Sequence, residues 1–154
     1  MAQYVLQMKA VLEKVDQQLA TVMIALEKTS HNWGLIHADL NENNYIFHQG
    51  ETRPIDFSCC GFGYYLSDIA NSLLHLVPEN RRSFLSGYQH ARKQSLPNNY
   101  QNILEAFSIA ATINNFAFHA SQPKERDYLQ QAVPYVIQKF CTKYFEGESF
   151  LFDC

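Results

Sequence analysis

Gly34-Leu35-Ile36-His37-Ala38-Asp39-Leu40-Asn41-Glu42-Asn43-Asn44-Tyr45-Ile46-Phe47 is the stretch on which the fold turns. Its centre has the form H-x-D-x-x-x-x-N, and Ile55-Asp56-Phe57 follows after a gap of hairpin length. The β-favouring runs Leu35-Ile36, Tyr45-Ile46-Phe47 and Pro54-Ile55 flank a polar loop. This predicts a loop followed by a β-hairpin, with the turn between His48 and Thr52 and Gly50 at the position where φ turns positive. Pro54, without a backbone donor, belongs at an edge or on a non-bonding side of its strand.

Outward from this centre the periodicity is helical. Val5, Met8, Leu12, Val15, Leu19, Val22, Met23 and Leu26 recur every three or four positions and predict one amphipathic helix, ending near Thr29-Ser30-His31-Asn32. After Gly61-Phe62-Gly63, read as a break, helical patterns run over Leu66–Val77 and Glu79–Gln94, divided by Pro78. Beyond Pro97-Asn98-Asn99, two more helices are expected over Tyr100–Ala120 and Lys124–Phe145, the second kinked at Pro134. An isolated hairpin is marginal in water, so this one is expected to hold a site against the helices.

The chain has 154 residues, enough for one hydrophobic core, with 47% hydrophobic and 18% charged residues. A net charge of −3 gives no basic excess to attract a phosphate backbone, so no nucleic-acid partner is expected. Arg81-Arg82 with Arg92-Lys93 reads as a solvated helix face. There is no signal-like leader and no long apolar run, which predicts a cytoplasmic protein with no membrane partner and reduced cysteines. Cys59-Cys60 reads as a pair of small buried hydrophobes. His75, His90 and His119 read as surface or satisfied core histidines, and Asn114-Asn115 as hydrogen-bonded groups within the packing. Phe150-Leu151-Phe152 reads as a C-terminal anchor.

Asp39, Asn44 and Asp56 form an ordered set suited to phosphoryl transfer. One carboxylate must accept or orient the proton of an attacking hydroxyl, while an amide oxygen and a second carboxylate hold Mg²⁺ on the nucleotide phosphates. The loop separates Asp39 from Asn44, and the hairpin carries Asp56 back beside Asn44. Hard oxygen donors suit Mg²⁺, whereas His37 reads as a scaffold whose ring fixes the loop by hydrogen bonds.

The quoted stretch, together with Pro-Ile-Asp-Phe at 54–57 and Gly-Tyr-Tyr-Leu-Ser-Asp-Ile-Ala at 63–70, resembles the aminoglycoside phosphotransferase, choline kinase and homoserine kinase superfamily. The resemblance is close over residues 33–74 and extends to the kind and order of the remaining helices. It implies a mainly α chain with a small β-hairpin, the C-terminal lobe of a protein-kinase-like α+β fold. Residues 1–154 are then a single domain: a leading helix at 1–30, a catalytic loop and metal-binding hairpin at 35–57, and a helical subdomain at 64–154.

The resemblance further makes Asp39 the catalytic base, Asn44 and Asp56 the ligands of Mg²⁺ and its bound ATP, and Asp68 of Asp68-Ile69-Ala70 a brace of the loop. It implies an ATP-dependent transfer to a small-molecule hydroxyl. The N-terminal lobe, whose strand Lys grips the nucleotide, is expected to be absent. A non-catalytic C-lobe or binding module needing a separate N-lobe is the alternative, and the uncovered lobe interface predicts a homodimer or an N-lobe partner. The chain departs from the family pattern in three places: Ala38 stands for a frequent Gly, Asn41 for a frequent His, and Ser58-Cys59-Cys60 for an acid or Gly.

Overall fold

The structure, a computed structural model, describes residues 2–152. Helix α1 spans Ala2–Ala25. Val15 is buried, and Val11, Leu19, Val22 and Leu26 pack beside it, a stripe at helical spacing. Leu12 and Met23, expected in that stripe, are exposed instead, because Val11 takes the inward position. The helix ends where Tyr64 Oη donates to Met23 O at 3.1 Å and to Leu26 O at 2.7 Å. A side chain distant in sequence thereby satisfies carbonyls that the last turn leaves open.

Two small antiparallel sheets follow. Strand β2 (Tyr45–His48) pairs with β3 (Glu51–Pro54), as the sequence predicts. Gln49 and Gly50 connect them with φ of 53° and 79°, the mirror-image turn that suits strand twist. Tyr45 faces Pro54, while Ile55 N donates to Asn44 O at 2.9 Å. Bonded and non-bonded pairs alternate in an antiparallel ladder, so Pro54 stands at a non-bonded pair, where its missing N–H is harmless.

The second sheet overturns an expectation. Gly61-Phe62-Gly63, read as a break, belongs to strand β4 (Gly61–Tyr64), paired with β1 (Trp33–Ile36). A partner so remote leaves no local signal, and the two glycines look like punctuation. Their role is close approach: a Cβ on Gly34 would collide with Tyr65 Oη, and one on Gly63 with Ile36 Cδ1. Gly34→Ala must push the Tyr65 ring out of place, at an expected cost of about 1–3 kcal/mol. Urea denaturation of the variant, read as a lowered midpoint with unchanged slope, checks it.

Helix α2 (Tyr65–His75) runs through the centre. Its Ala70 and Leu73 are fully buried, and it packs along α4 (Tyr100–His119), which contributes Ile103, Leu104, Phe107 and Ile109. Small side chains let the two helices close, with Ser108 Oγ donating to Ala70 O. Helix α3 (Pro78–Arg92) carries the supposed basic face. The reading of Arg81 as solvated is wrong: it is buried and donates to Leu73 O, Leu76 O and Leu151 O. The open carbonyls at the end of α2 attract a cation and supply its acceptors. Arg92 stacks on the Tyr65 ring at 4.4 Å, while Arg82 and Lys93 remain exposed.

The expected helix over 124–145 is divided. A 3₁₀ turn (Pro123–Glu125) leads into α5 (Arg126–Val136), a π turn (Ile137–Cys141) and α6 (Thr142–Glu146). Pro134 lies inside α5, and the ladder widens after it rather than breaking at it. Gly147, at φ 75°, ends the run. Phe150 and Leu151 are buried, as an anchor should be, and buried Glu105 accepts from the Ser149 hydroxyl and from the amides of Phe150 and Leu151. Asn114 and Asn115 are exposed, correcting their reading as internal groups, because α4 runs past the core there. His75 and His90 are exposed. Among the described residues, no helix is long and apolar enough to cross a membrane.

Candidate active site

The loop between β1 and β2 is held from below by α2. Asp68 accepts the backbone amides of His37 and Ala38, one on each carboxylate oxygen, both at 2.7 Å. Ala38 has φ 65°, a left-handed conformation disfavoured for any residue with a Cβ. This explains why glycine suits the position and how alanine survives there: two charge-assisted hydrogen bonds oppose the strain. Ser72 adds a third tie, its Oγ donating to Leu40 O at 2.7 Å.

The buried His37 joins the loop to the far side of the hairpin. Its Nδ1 accepts from Asp39 N at 3.3 Å, so Nε2 carries the proton and donates to Ile55 O at 2.7 Å. The Phe57 ring tilts against the imidazole at 4.7 Å. Ile55 N bonds Asn44 O, so the residue before Asp56 is tied to both His37 and Asn44. Residues far apart in sequence are thus fixed as one unit.

Within the loop, Asn44 is buried and its amide group donates to Asp39 Oδ2 and to Asp39 O, both at 2.8 Å. Asn41 donates to Asp39 Oδ1 at 2.9 Å, so each carboxylate oxygen of Asp39 has its own amide partner. Asn41 also accepts from Asn43 N and caps the 3₁₀ turn Glu42–Asn44. The sequence reading noted Asn41 only as a departure from pattern. The signal that could have placed it was an Asn starting a short turn, a standard capping position. Spending its NH₂ on Asp39 leaves Asn44 with its amide oxygen as the atom to offer a cation.

Asp56 sits just beyond β3 in the left-handed region, φ 57° and ψ 66°. Its side chain is fully exposed, and Ser58, through its hydroxyl and then its amide, holds the carboxyl below the usual carboxylate range. Asp56 therefore presents an ionised group to solvent beside the Asn44 loop. Cys59 and Cys60 are exposed free thiols, not the buried hydrophobes expected, because the 3₁₀ turn Phe57–Cys59 lies on the surface. Among the described residues, no cluster of three or more His, Cys, Asp or Glu side chains is arranged to hold a metal. Asn44 and Asp56 each offer a hard oxygen of the kind magnesium takes, since that ion uses one or two carboxylates and fills its sphere with water and phosphate.

Comparison with known proteins bears on this geometry. Amicoumacin kinase of Bacillus subtilis (strain 168) is 33% identical over 67 residues, 42% of this chain and 20% of that protein. Calcium-dependent protein kinase 11 of Oryza sativa subsp. japonica is 35% identical over 74 residues, 44% of this chain and 13% of that protein.

Among solved structures, a microcompartment-associated aminopropanol kinase superposes with a TM-score of 0.72 at 24% identity, over 92% of this chain and 46% of that one. Amicoumacin kinase hAmiN, in complex with AMP-PNP, Ca²⁺ and Ami, superposes with a TM-score of 0.66 at 20% identity, over 94% of this chain and 47% of that one. The chain thus spans about half the length of the solved kinases whose fold it shares. The model of the phosphotransferase enzyme family matches residues 2–103, taking in α1, the Asp39 loop, the hairpin and the α2 brace. On that match, and on the mainly helical lobe with its small hairpin, this chain belongs to the phosphotransferase enzyme family.

Proposed function

We propose that this chain forms the catalytic-loop lobe of an ATP-dependent phosphotransferase that moves a γ-phosphoryl group onto a hydroxyl of a small molecule. The observation that supports the reading is the bond of Asn44 to Asp39, with Ile55, the neighbour of Asp56, tied to both His37 and Asn44, on a loop braced by Asp68. Asp39 is the base: Asn41 and Asn44 orient its carboxylate so that one lone pair can take the acceptor's proton as the new bond forms. Asn44 Oδ1 and the Asp56 carboxylate would hold Mg²⁺. The bound ion would offset charge on the nucleotide phosphates. The AMP-PNP and Ca²⁺ of the hAmiN complex support a nucleotide and a divalent cation as the pair taken here.

Residues 1–154 act as one domain in this reading, and small hydroxylated molecules are the acceptors. A partner lobe that grips the nucleotide completes the site, and it covers the exposed Leu35 and Phe62, paired across β1 and β4. Calorimetric titration of Mg·AMP-PNP tests the metal assignment. Asp56→Asn is expected to weaken binding about 10–100-fold, since it removes a hard anionic ligand exposed to solvent, where little folding energy depends on it. Equal affinity in the two proteins would remove Asp56 from the metal site.

A further inference from the structure

A cleft of about 710 Å³ lies beside the catalytic loop, between α2 and α3. Its size falls in the range of small-molecule sites, roughly 300–1,000 Å³. Ile69 from α2 and Phe84 and Ala91 from α3 make its walls apolar. Tyr65, Tyr88 and Arg92 close one end, the Arg92 guanidinium lying over the Tyr65 ring. The guanidinium spends Nη2 on His31 O and Gln94 Oε1, and it lies beside the Tyr88 hydroxyl. Asp68 also lines the cleft, each of its oxygens accepting one amide, from His37 and Ala38, and it has no donor to offer. Arg92 is therefore the charged group with donors to spare for a ligand.

Gly87 points independently to an occupant. It sits within α3, where glycine is roughly 0.5–1 kcal/mol worse than alanine. Helix glycines usually admit a close neighbour, yet a Cβ here would meet nothing within 4 Å, and φ is not positive. Neither packing nor backbone geometry asks for glycine. Gly87 does line the cleft, and any larger side chain there would project into it.

We propose that this cleft binds a small planar apolar molecule bearing one carboxylate, its ring between Ile69 and Phe84 and its carboxylate on Arg92. Such a ligand lies against Leu40 and Asp68, which adjoin and brace the Asp39 loop.

The test uses 2-naphthoate as probe and 2-naphthamide as its neutral counterpart, with thermal melting of the chain as readout. Near 100 times Kd, naphthoate is expected to raise Tm by about 5 °C or more. Arg92→Gln should weaken naphthoate at least 10-fold and leave the amide unchanged. Gly87→Leu should abolish the shift by intruding on the cleft, while Gly87→Ala, which keeps the helix and most of the space, should retain it. An equal shift in Gly87→Leu and the parent chain, or no shift in the parent chain, overturns the proposal. Naphthamide binding as tightly as naphthoate overturns the assignment to Arg92.

Discussion

Asp39→Asn is expected to lower kcat by about 10²–10⁴-fold, the usual contribution of a positioned general base. The amide keeps the shape and one acceptor oxygen, so the loop should persist. It cannot take a proton, and its NH₂ meets an amide donor of Asn41 or Asn44 where a carboxylate oxygen stood. Nucleotide affinity should change little, because Asp39 is not among the proposed metal ligands. That contrast separates it from Asp56→Asn, whose main effect should be on Mg·nucleotide binding. A coupled ADP assay on the chain, alone or joined to a nucleotide-binding half, measures the first effect and calorimetry the second. Activity within threefold of the parent protein would rule out Asp39 as the base.

Glu105→Leu should be the most destabilising single change outside the packed apolar core, by about 3–5 kcal/mol and roughly 10 °C or more in Tm. Its carboxylate lies at the base of the C-terminal turn and receives the Ser149 hydroxyl and the amides of Phe150 and Leu151. Leucine takes the shared carboxylate away from these donors in a buried place, and hydrogen bonds to a carboxylate are worth more than neutral ones. Arg81 holds the carbonyl of the same Leu151. Arg81→Met and Glu105→Leu together should therefore cost less than the sum of the single changes, since either one releases the segment that both hold. A melting temperature for Glu105→Leu within 2 °C of the parent would show that the anchor rests on Phe150 and Leu151 alone.

The residues of the proposed site were named from their order along a short loop and a tight hairpin. The structure ties Asn44 to Asp39 and Ile55, the neighbour of Asp56, to Asn44. The hairpin itself was equally local, with Gly50 in its turn and Pro54 at a non-bonded pair. What escaped depends on partners remote in the chain. Gly61–Tyr64 is a strand only because Trp33–Ile36 lies beside it, and its glycines read as a break until Ile36 and Tyr65 are packed against the two strands. Arg81 looked like surface, since nothing near it in sequence announces the open carbonyls at the end of α2 or Leu151 beyond them. Cys59 and Cys60 looked like core, because hydrophobicity alone does not say which turn faces water.

By itself, the sequence determined the helical frame and the loop-and-hairpin layout and named the groups proposed for chemistry, since periodicity, turn chemistry and short spacings are properties of neighbouring residues. Tertiary structure alone decided how those groups are held. The left-handed turn at Ala38, the tautomer of His37, the two amide partners of Asp39 and the buried ties of Glu105 and Arg81 each need a hydrogen-bonding partner placed by packing. Buried polar groups must find such partners, and which ones they find depends on how the helices meet.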